Sequence, residues 1–341
     1  MASTNQIRTK GKRKSVEYGR YGYLFIAPFF IVYALFQLYP LVYTIWMSFM
    51  ECYSRGLKEV GPNFAGLQNF VNVIVTTAKD GAPVKGAKLF DTFTFSSLYN
   101  TIIMWLLNFV PQILLSLVLA AWFTDVKAKV KGQGAYKVII FMPNIITAAT
   151  IAVLFYSLFA VGGPVTLLLQ DMGVVGEKCN FMESKTATRL IIAFIQFWMW
   201  YGNTMIVLIA GILGINPSLF EAAMVDGASG KQIFRYITLP LLKPITLFVL
   251  ITSAIGGLQM YDIPSLFNVN NAGDALPDYA SQTITMYIRS LTMKSKDYGK
   301  AAAASMVLFA VTLVISMLFF FFMGDRDIDT SKKKKNRKKG A

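Results

Sequence analysis

Six stretches of this chain are apolar for about 20 residues or more, and that pattern restricts the fold more than any motif in it. They run at about 21–50, 98–123, 138–160, 190–213, 241–267 and 300–323. About 20 helical residues cross the hydrocarbon core of a bilayer, and a helix satisfies all of its backbone polar groups within the segment. An all-α integral membrane protein of about six transmembrane helices follows. Composition agrees: 55% of the 341 residues are hydrophobic and 15% are charged, against roughly 25% charged in a soluble domain. The first run is too long for the apolar part of a signal peptide, and no A-x-A cleavage site follows it. It reads as an uncleaved first span, with Pro28 and Pro40 at kinks or ends.

Prolines punctuate the other runs. Pro111 is expected to break the second span, Pro143-Asn144 lies near the start of the third, and Gly162-Gly163-Pro164 ends it. Residues 51–97, 165–188 and 268–297 connect the spans on one side. The second of these has some helical character, and Thr283 to Met293 of the third reads as a surface helix.

The net charge of +15 suggests nucleic acid at first sight. The basic residues, however, sit in tails and loops around an apolar bulk, where they set topology. With the N-terminus inside, the inner segments hold six (1–20), four (the second-to-third loop), three (the fourth-to-fifth loop) and eight (the C-tail 324–341), which is 21 of the 33 Lys and Arg. The longer outer segments hold 12. Both termini are therefore expected in the cytoplasm of a bacterial cell, with the protein in its plasma (inner) membrane. The run Lys332 to Lys339, KKKKNRKK, reads as a solvated tail that locks this topology or holds anionic headgroups. There is no histidine, which excludes a His general base, a His metal site and a Ser-His triad. Cys52 and Cys179 form no C-x-x-C pair, so zinc and redox motifs are unsupported. Both fall in outer segments where a disulfide can form, and unpaired thiols are the default reading.

Between the fourth and fifth runs lies Asn216 to Pro244, NPSLFEAAMVDGASGKQIFRYITLPLLKP. It is polar, Gly-bearing and punctuated by three prolines, and reads as two short helices around a tight turn. Ser218 with Glu221 spells S-x-x-E and Ser229 with Gln232 spells S-x-x-Q, so each helix has a capping-box start signal. Asp226-Gly227 sits where the turn needs positive φ. Leu219, Phe220, Ala223 and Met224 share one side of the first helix, and Ile233, Phe234 and Ile237 recur at helical spacing in the second. Leu239-Pro240 is expected to stop that helix.

The run Glu221-Ala222-Ala223, then Gly227, then Ile237-x-Leu239-Pro240 resembles the EAA signature of permease subunits in binding-protein-dependent, ATP-driven (ABC) importers. Asp226-Gly227-Ala228 extends the likeness toward the carbohydrate branch, of the maltose and multiple-sugar, first-permease type, and Asp297-Tyr298-Gly299 before the Ala-rich last span is also similar. The resemblance covers the chain from about the second span to the sixth and implies a type I importer-like permease fold, residues 21–323. It implies that the loop at about 214–240 is a cytoplasmic coupling element docked on an ATPase subunit. Glu221, Ala222, Ala223, Asp226, Gly227, Ala228, Ile237, Leu239 and Pro240 carry that role. It further implies four kinds of partner: a second homologous permease in a heterodimer, two ATP-binding subunits, an extracellular solute-binding protein, and a sugar. Unlike the largest relatives, the chain has no long inserted outer domain and no extra leading spans. An amphipathic helix on the membrane surface is the alternative reading of the same loop.

No G-x-x-x-x-G-K-[ST] occurs, so no catalytic residue or cofactor is expected in this chain, and MgATP belongs to a partner. Polar residues inside spans are expensive and mark substrate paths or helix contacts. Gln196, Trp200, Asn203 and Thr204 share a stripe of the fourth span, beside Tyr201. Thr252, Gly256 and Gln259 recur on one face of the fifth. Amides, hydroxyls and aromatic faces suit an uncharged polyol. Asp262, near the outer end, reads as solvated. An ion-coupled secondary transporter calls for carboxylates well inside the spans, and a scaffold without transport calls for no lining at all. A polyamine calls for intramembrane acids and a phosphate ester for intramembrane Lys or Arg. Neutral carbohydrate fits better than either.

Overall fold

A computed structural model describes residues 19–75, 89–125, 131–267, 275 and 277–324. The tail Lys332 to Lys339, most of the basic N-terminal tail, and Lys127 and Lys129 lie outside the described residues. The chain divides into two units, residues 1–46 and 47–341.

The first unit is one apolar helical stretch. Helix α1 (Gly19–Tyr33) contains Pro28, and α2 (Tyr39–Ser48) begins it anew before Pro40. Between them, Ala34–Leu38 form a π-helical turn in which the Tyr39 N–H reaches the Ala34 carbonyl five residues back. The wider turn accommodates a proline ring that a regular α-turn would push against the preceding carbonyl. Tyr39 stacks on Tyr43, which in turn tilts against Trp46.

The second unit opens with the only strands among the described residues. Strands β1 (Met50–Arg55) and β2 (Lys58–Phe64) form an antiparallel hairpin closed by Gly56-Leu57. No strand is expected from the sequence here, because neither segment alternates cleanly and the second contains Gly61-Pro62. It is held by α3 (Gln68–Ile74), whose Asn69 Nδ2 donates to the carbonyls of Ser48 (3.0 Å) and Met50 (2.8 Å).

Helix α4 (Phe93–Thr124) runs unbroken past Pro111, contrary to the expected break. Missing one donor and bending are tolerated in spans, where neighbours re-satisfy the backbone. The third span breaks near its expected start, and its long apolar stretch then runs over Ala148–Asp171, across the Gly162-Gly163-Pro164 expected to end it. Helix α5 (Gln133–Phe141) gives way to a 3₁₀ turn at Met142–Ile145 around Pro143. Helix α6 (Ala148–Phe159) restarts with Thr147 as its cap, and α7 (Pro164–Asp171) follows the Gly162-Gly163 bend. Helix α8 (Lys185–Leu213) is the fourth span. Gly202 permits α5 to cross it, since a Cβ there would lie 2.3 Å from the Ile140 carbonyl oxygen. Such close approach of backbones is what holds helices together in lipid, where apolar burial gives no net drive.

Helices α9 (Pro217–Val225) and α10 (Gly230–Ile233) form the polar loop, and a second π-helical turn, Phe234–Thr238, leads into α11 (Leu239–Leu258). Leu239-Pro240 therefore does not stop the helix. The Leu239 N–H reaches Phe234 five residues back, the same device that precedes Pro40. The fifth span ends its α-helix at Leu258, and α12 (Asp262–Leu266) resumes after Gln259–Tyr261. Helix α13 (Ile284–Met293) buries Ile284, Met286 and Leu291, so it is a packed helix with one wet side rather than one lying free on a surface. Helix α14 (Tyr298–Met323) buries Ala301 to Ala304 at its start. Among the described residues, six helical stretches are long and apolar enough to cross a membrane: 21–48, 93–124, 148–171, 185–213, 230–266 and 298–323.

Three apolar clusters are buried among the described residues, the smallest holding Val73, Leu291, Ala301, Ala303 and Ala304 at the start of α14, and the other two fill the span bundle. One, with Trp105, Phe109, Ile195, Met199, Leu258 and Ile263, lies toward the end carrying α12. The other, with Ala120, Phe123, Leu208, Ile212 and Leu242, lies toward the loop of α9 and α10. At the α12 end Arg189 is secured without a carboxylate. Its guanidinium donates to the Ala280 carbonyl (2.9 Å) and to Asn100 Oδ1 (2.6 Å), while Asn100 Nδ2 donates to the Tyr279 carbonyl (2.9 Å). Cys52 and Cys179 are unpaired and half-buried.

Candidate functional site: a polar cavity above a capped loop

A cavity of about 390 Å³ opens between α4, α8, α11 and the break that follows α11. Helix α8 supplies Gln196, Trp200, Asn203 and Thr204, and α11 supplies Thr252, Ser253, Gly256 and Gly257. Gln259 and Tyr261 come from the break itself, and Asp262 from the first position of α12. Irregular backbone at this depth is tolerated where it lines a cavity. Seven of the eight polar candidates read from spans four and five thus meet in one place. Tyr201 does not line it. Its ring stacks on Phe197, and its carbonyl accepts from Ser116 Oγ at 2.7 Å.

Sequence reasoning missed the wall contributed by α4. Asn108 and Gln112 are both buried and both line the cavity. Asn108 Nδ2 is tied to its own helix at the Met104 carbonyl (3.0 Å). Gln112 Nε2 donates to Thr204 Oγ1 at 2.8 Å and to Ser253 Oγ at 3.5 Å, so one amide joins three helices. The signal was present as a stripe at spacings of three and four: Ser97, Asn100, Thr101, Asn108, Gln112 and Ser116 are all buried on α4.

The lining contains neither Lys nor Arg, and its one carboxylate, Asp262, is exposed at the rim as expected. Beside it the exposed Arg289 lies over the Tyr261 ring, 4.9 Å from the centroid, and donates to the Tyr261 hydroxyl. The interior thus offers neutral donors and acceptors with an indole face, which suits hydroxyl groups and an apolar sugar face better than an ion. Among the described residues no cluster of His, Cys, Asp or Glu has the makings of a metal site.

The second candidate element is the loop. Asn216, not Ser218, caps α9: its side chain accepts from the Ser218 N–H at 3.1 Å, with Pro217 as the first helical residue. The expected Ser218–Glu221 box is not formed, because Pro217, with its fixed φ, starts the helix and moves the cap two positions earlier, to Asn216. The Ser229–Gln232 box is formed in both directions. Gly227 has φ +77 with open space where a Cβ would stand, so its requirement is conformational rather than steric. Ala228 N–H closes the helix end on the Ala223 carbonyl (2.9 Å).

Glu221, Ala222, Asp226 and Gly227 are exposed, as are Leu239 and Pro240. Phe220, Ala223, Met224, Ala228 and Ile237 are half-buried, while Leu219 is exposed despite its place in the apolar pattern. Glu221 and Ala222 therefore turn outward, while Ala223 packs back toward the span ends. Behind them Phe220 and Met224 face a cavity of about 410 Å³, with Ala121 and Ile212 across it.

The sequence and fold of this chain have known counterparts. The sequence pattern of the family described as "Binding-protein-dependent transport system inner membrane component" matches residues 98–329, more than half of the chain. The chain belongs to this family. The membrane component is 29% identical over 296 residues to the lactose transport system permease protein LacF of Rhizobium radiobacter, covering 86% of this chain and 91% of that one. It is 28% identical over 300 residues to the arabinooligosaccharides transport system permease protein AraP of Bacillus subtilis, covering 86% of each. It is 26% identical over 295 residues to the sn-glycerol-3-phosphate permease UgpA of Agrobacterium fabrum, covering 86% of this chain and 91% of UgpA. A chain of a bacterial ABC transporter involved in the import of the acidic polysaccharide alginate superposes with a TM-score of 0.68 at 23% identity, over 90% of this chain and 96% of that chain. The membrane component shares that importer fold.

Proposed function

We propose that this chain is the sugar-conducting permease subunit of an ATP-driven importer, and that its cargo is a neutral oligosaccharide. The observation that carries the reading is the convergence of uncharged amides, hydroxyls and one indole in a single cavity. That cavity lies on the two helices flanking the EAA loop. At about 390 Å³ it falls within the roughly 300–1,000 Å³ of small-molecule sites. The lactose and arabinooligosaccharide relatives support a neutral sugar. The glycerol-phosphate and alginate relatives carry anionic cargo by name, and the absence of Lys and Arg from this lining argues against an anion here.

The chain carries no ATP-binding motif, so hydrolysis falls to two partner ATPase subunits. A second, related permease completes the pathway, and an extracellular binding protein delivers cargo. Both termini and the α9–α10 loop face the cytoplasm. The exposed Glu221, Ala222, Asp226 and Gly227 meet the ATPase, where small residues allow close backbone approach. When the ATPase pair closes, the capped helix pair is displaced as a unit. The continuous α10–π turn–α11 path then carries that displacement to the cavity wall.

The test is uptake by proteoliposomes holding the full complex, screened over neutral mono-, di- and trisaccharides. The expected result is uptake that needs both ATP and the binding protein. Uptake that persists without an ATPase and collapses with a proton uncoupler overturns the reading. Within the active complex, Gly227→Asp and Glu221→Lys are expected to weaken ATPase co-purification and lower transport per ATP by about 10-fold or more. A Gly227→Asp complex of wild-type yield and uptake removes the coupling role.

A further inference from the structure

Gln112 occupies a special level in the bundle. Along α4, α8 and α11 the residues change character from cavity lining to apolar cluster, and on each helix the change falls at one member of a bonded triad. On α4, Gln112 is the last lining residue before the clustered Ala120 and Phe123. On α8, Thr204 is the last before Met205 and Leu208. On α11, Ser253 with Thr252 follows the clustered Val249. The amide of Gln112, 6% exposed, joins the other two hydroxyls at 2.8 and 3.5 Å. The floor of the cavity on the side of the coupling loop is therefore a hydrogen-bonded bar across three spans, with an apolar plug beneath it.

We infer that Gln112 is a selectivity-determining residue for passage: its two N–H groups are handed from Thr204 and Ser253 to hydroxyl oxygens of the cargo as the floor opens. This rests on the sugar-import reading above. The physical ground is the cost of an unpaired buried amide. Parting the three helices strips Gln112, which is buried where it stands, of both partners. A cargo rich in hydroxyls replaces them one for one. An apolar or sparsely hydroxylated solute leaves the amide unpaired, so the bar stays shut against it. Sites built around a buried polar group discriminate strongly against ligands that fail to pair with it. Thr204 and Ser253, released from accepting, become free to accept from the same sugar.

A purely structural tie between helices is the competing account, and the two separate on one variant. Replacing all members of a buried hydrogen-bonded set by apolar groups of similar shape is close to neutral for packing. The triple variant Gln112→Leu, Thr204→Val, Ser253→Ala therefore keeps the floor packed while removing every group that hands on a hydroxyl. It is compared with wild type in proteoliposomes of the full complex. The probes are radiolabelled neutral saccharides, lactose and arabinotriose among them, with the same binding protein throughout. The expected result is normal assembly, an unchanged KM for the loaded binding protein, and a maximal uptake rate lower by about 10-fold or more. The single variant Gln112→Leu, which leaves two hydroxyls on the floor, is expected to be intermediate. Wild-type uptake by the triple variant overturns the inference alone. Failure of the triple variant to assemble also overturns it, by assigning Gln112 to packing. A wild-type complex that takes up no sugar in the panel removes the sugar reading and the inference with it.

Discussion

At the scale of single residues, glycine marks where backbones touch. A Cβ at position 299 would stand 2.2 Å from the Met50 carbonyl oxygen and 2.8 Å from Asn69 Nδ2. The same Asn69 nitrogen holds the Met50 carbonyl, so the start of α14, the hairpin and α3 share one contact. Gly299→Ala forces these apart and is expected to lower stability by about 1–3 kcal/mol, as overpacking does. Thermal unfolding of the purified permease in detergent reads this out, with Gly22→Ala as the control, since nothing lies within 4 Å of a Cβ there. Equal midpoints for the two variants would show that the close approach is not kept in the folded protein. Gly299 stood in the sequence as part of Asp297-Tyr298-Gly299, beside an Ala-rich span. That pattern said the site was special but not why. The reason lies 249 residues earlier in the chain, at Met50, beyond any local signal.

At the scale of elements, the loop shows how far local rules reach. The Ser229–Gln232 box and the Gly227 turn formed as the sequence indicated, because each depends on residues within four positions of one another. The Ser218–Glu221 box did not form, because Asn216-Pro217 supplies a competing cap and first helical residue just ahead of it. The difference has a measurable consequence. Asn216→Ala is expected to cost α9 about 1 kcal/mol, and Ser229→Ala a similar amount in α10. Ser218→Ala, in the same stretch, is expected to change little, within about 0.5 kcal/mol. Amide hydrogen exchange over 217–233 reports each as local opening. Faster exchange in Ser218→Ala than in Asn216→Ala would contradict the assigned cap.

Prolines misled for a related reason. Pro111 is expected to break its span and Pro240 to stop its helix, yet both helices continue, while Pro40, expected at a kink or an end, follows an irregular turn. Two of the three follow π-helical turns, Ala34–Leu38 and Phe234–Thr238, that no composition rule foretells. The cavity was half legible. Helical spacing grouped Gln196, Trp200, Asn203 and Thr204, and separately Thr252, Gly256 and Gln259. Only tertiary packing added Asn108 and Gln112 and turned Tyr201 aside.

At the scale of the whole molecule, six crossings place the α9–α10 loop and the hairpin on opposite faces, given an odd number of spans between them. The first span lies before Cys52 and the second, third and fourth before Lys231, so three crossings separate the two positions. The charge count leads us to expect Lys231 in the cytoplasm and Cys52 outside. An impermeant maleimide tests both. Wild-type protein in intact cells is expected to label at Cys52, and Lys231→Cys, in a chain lacking Cys52 and Cys179, only in inside-out vesicles. Cys52 will label slowly near neutral pH. Burial raises its thiol pKa first, and the carboxylates of Asp297 and Glu59 add to the rise. A raised pKa leaves less thiolate, the reacting form, below it. Its rate should therefore lag an ordinary thiol at about pH 8 and catch up as pH climbs through the raised value. Labelling at an undiminished rate would mean that the hairpin is not docked against the start of α14. Labelling of Lys231→Cys from outside intact cells would reverse the topology, place the EAA loop out of reach of any ATPase, and end the importer reading together with the coupling role of Glu221 and Gly227.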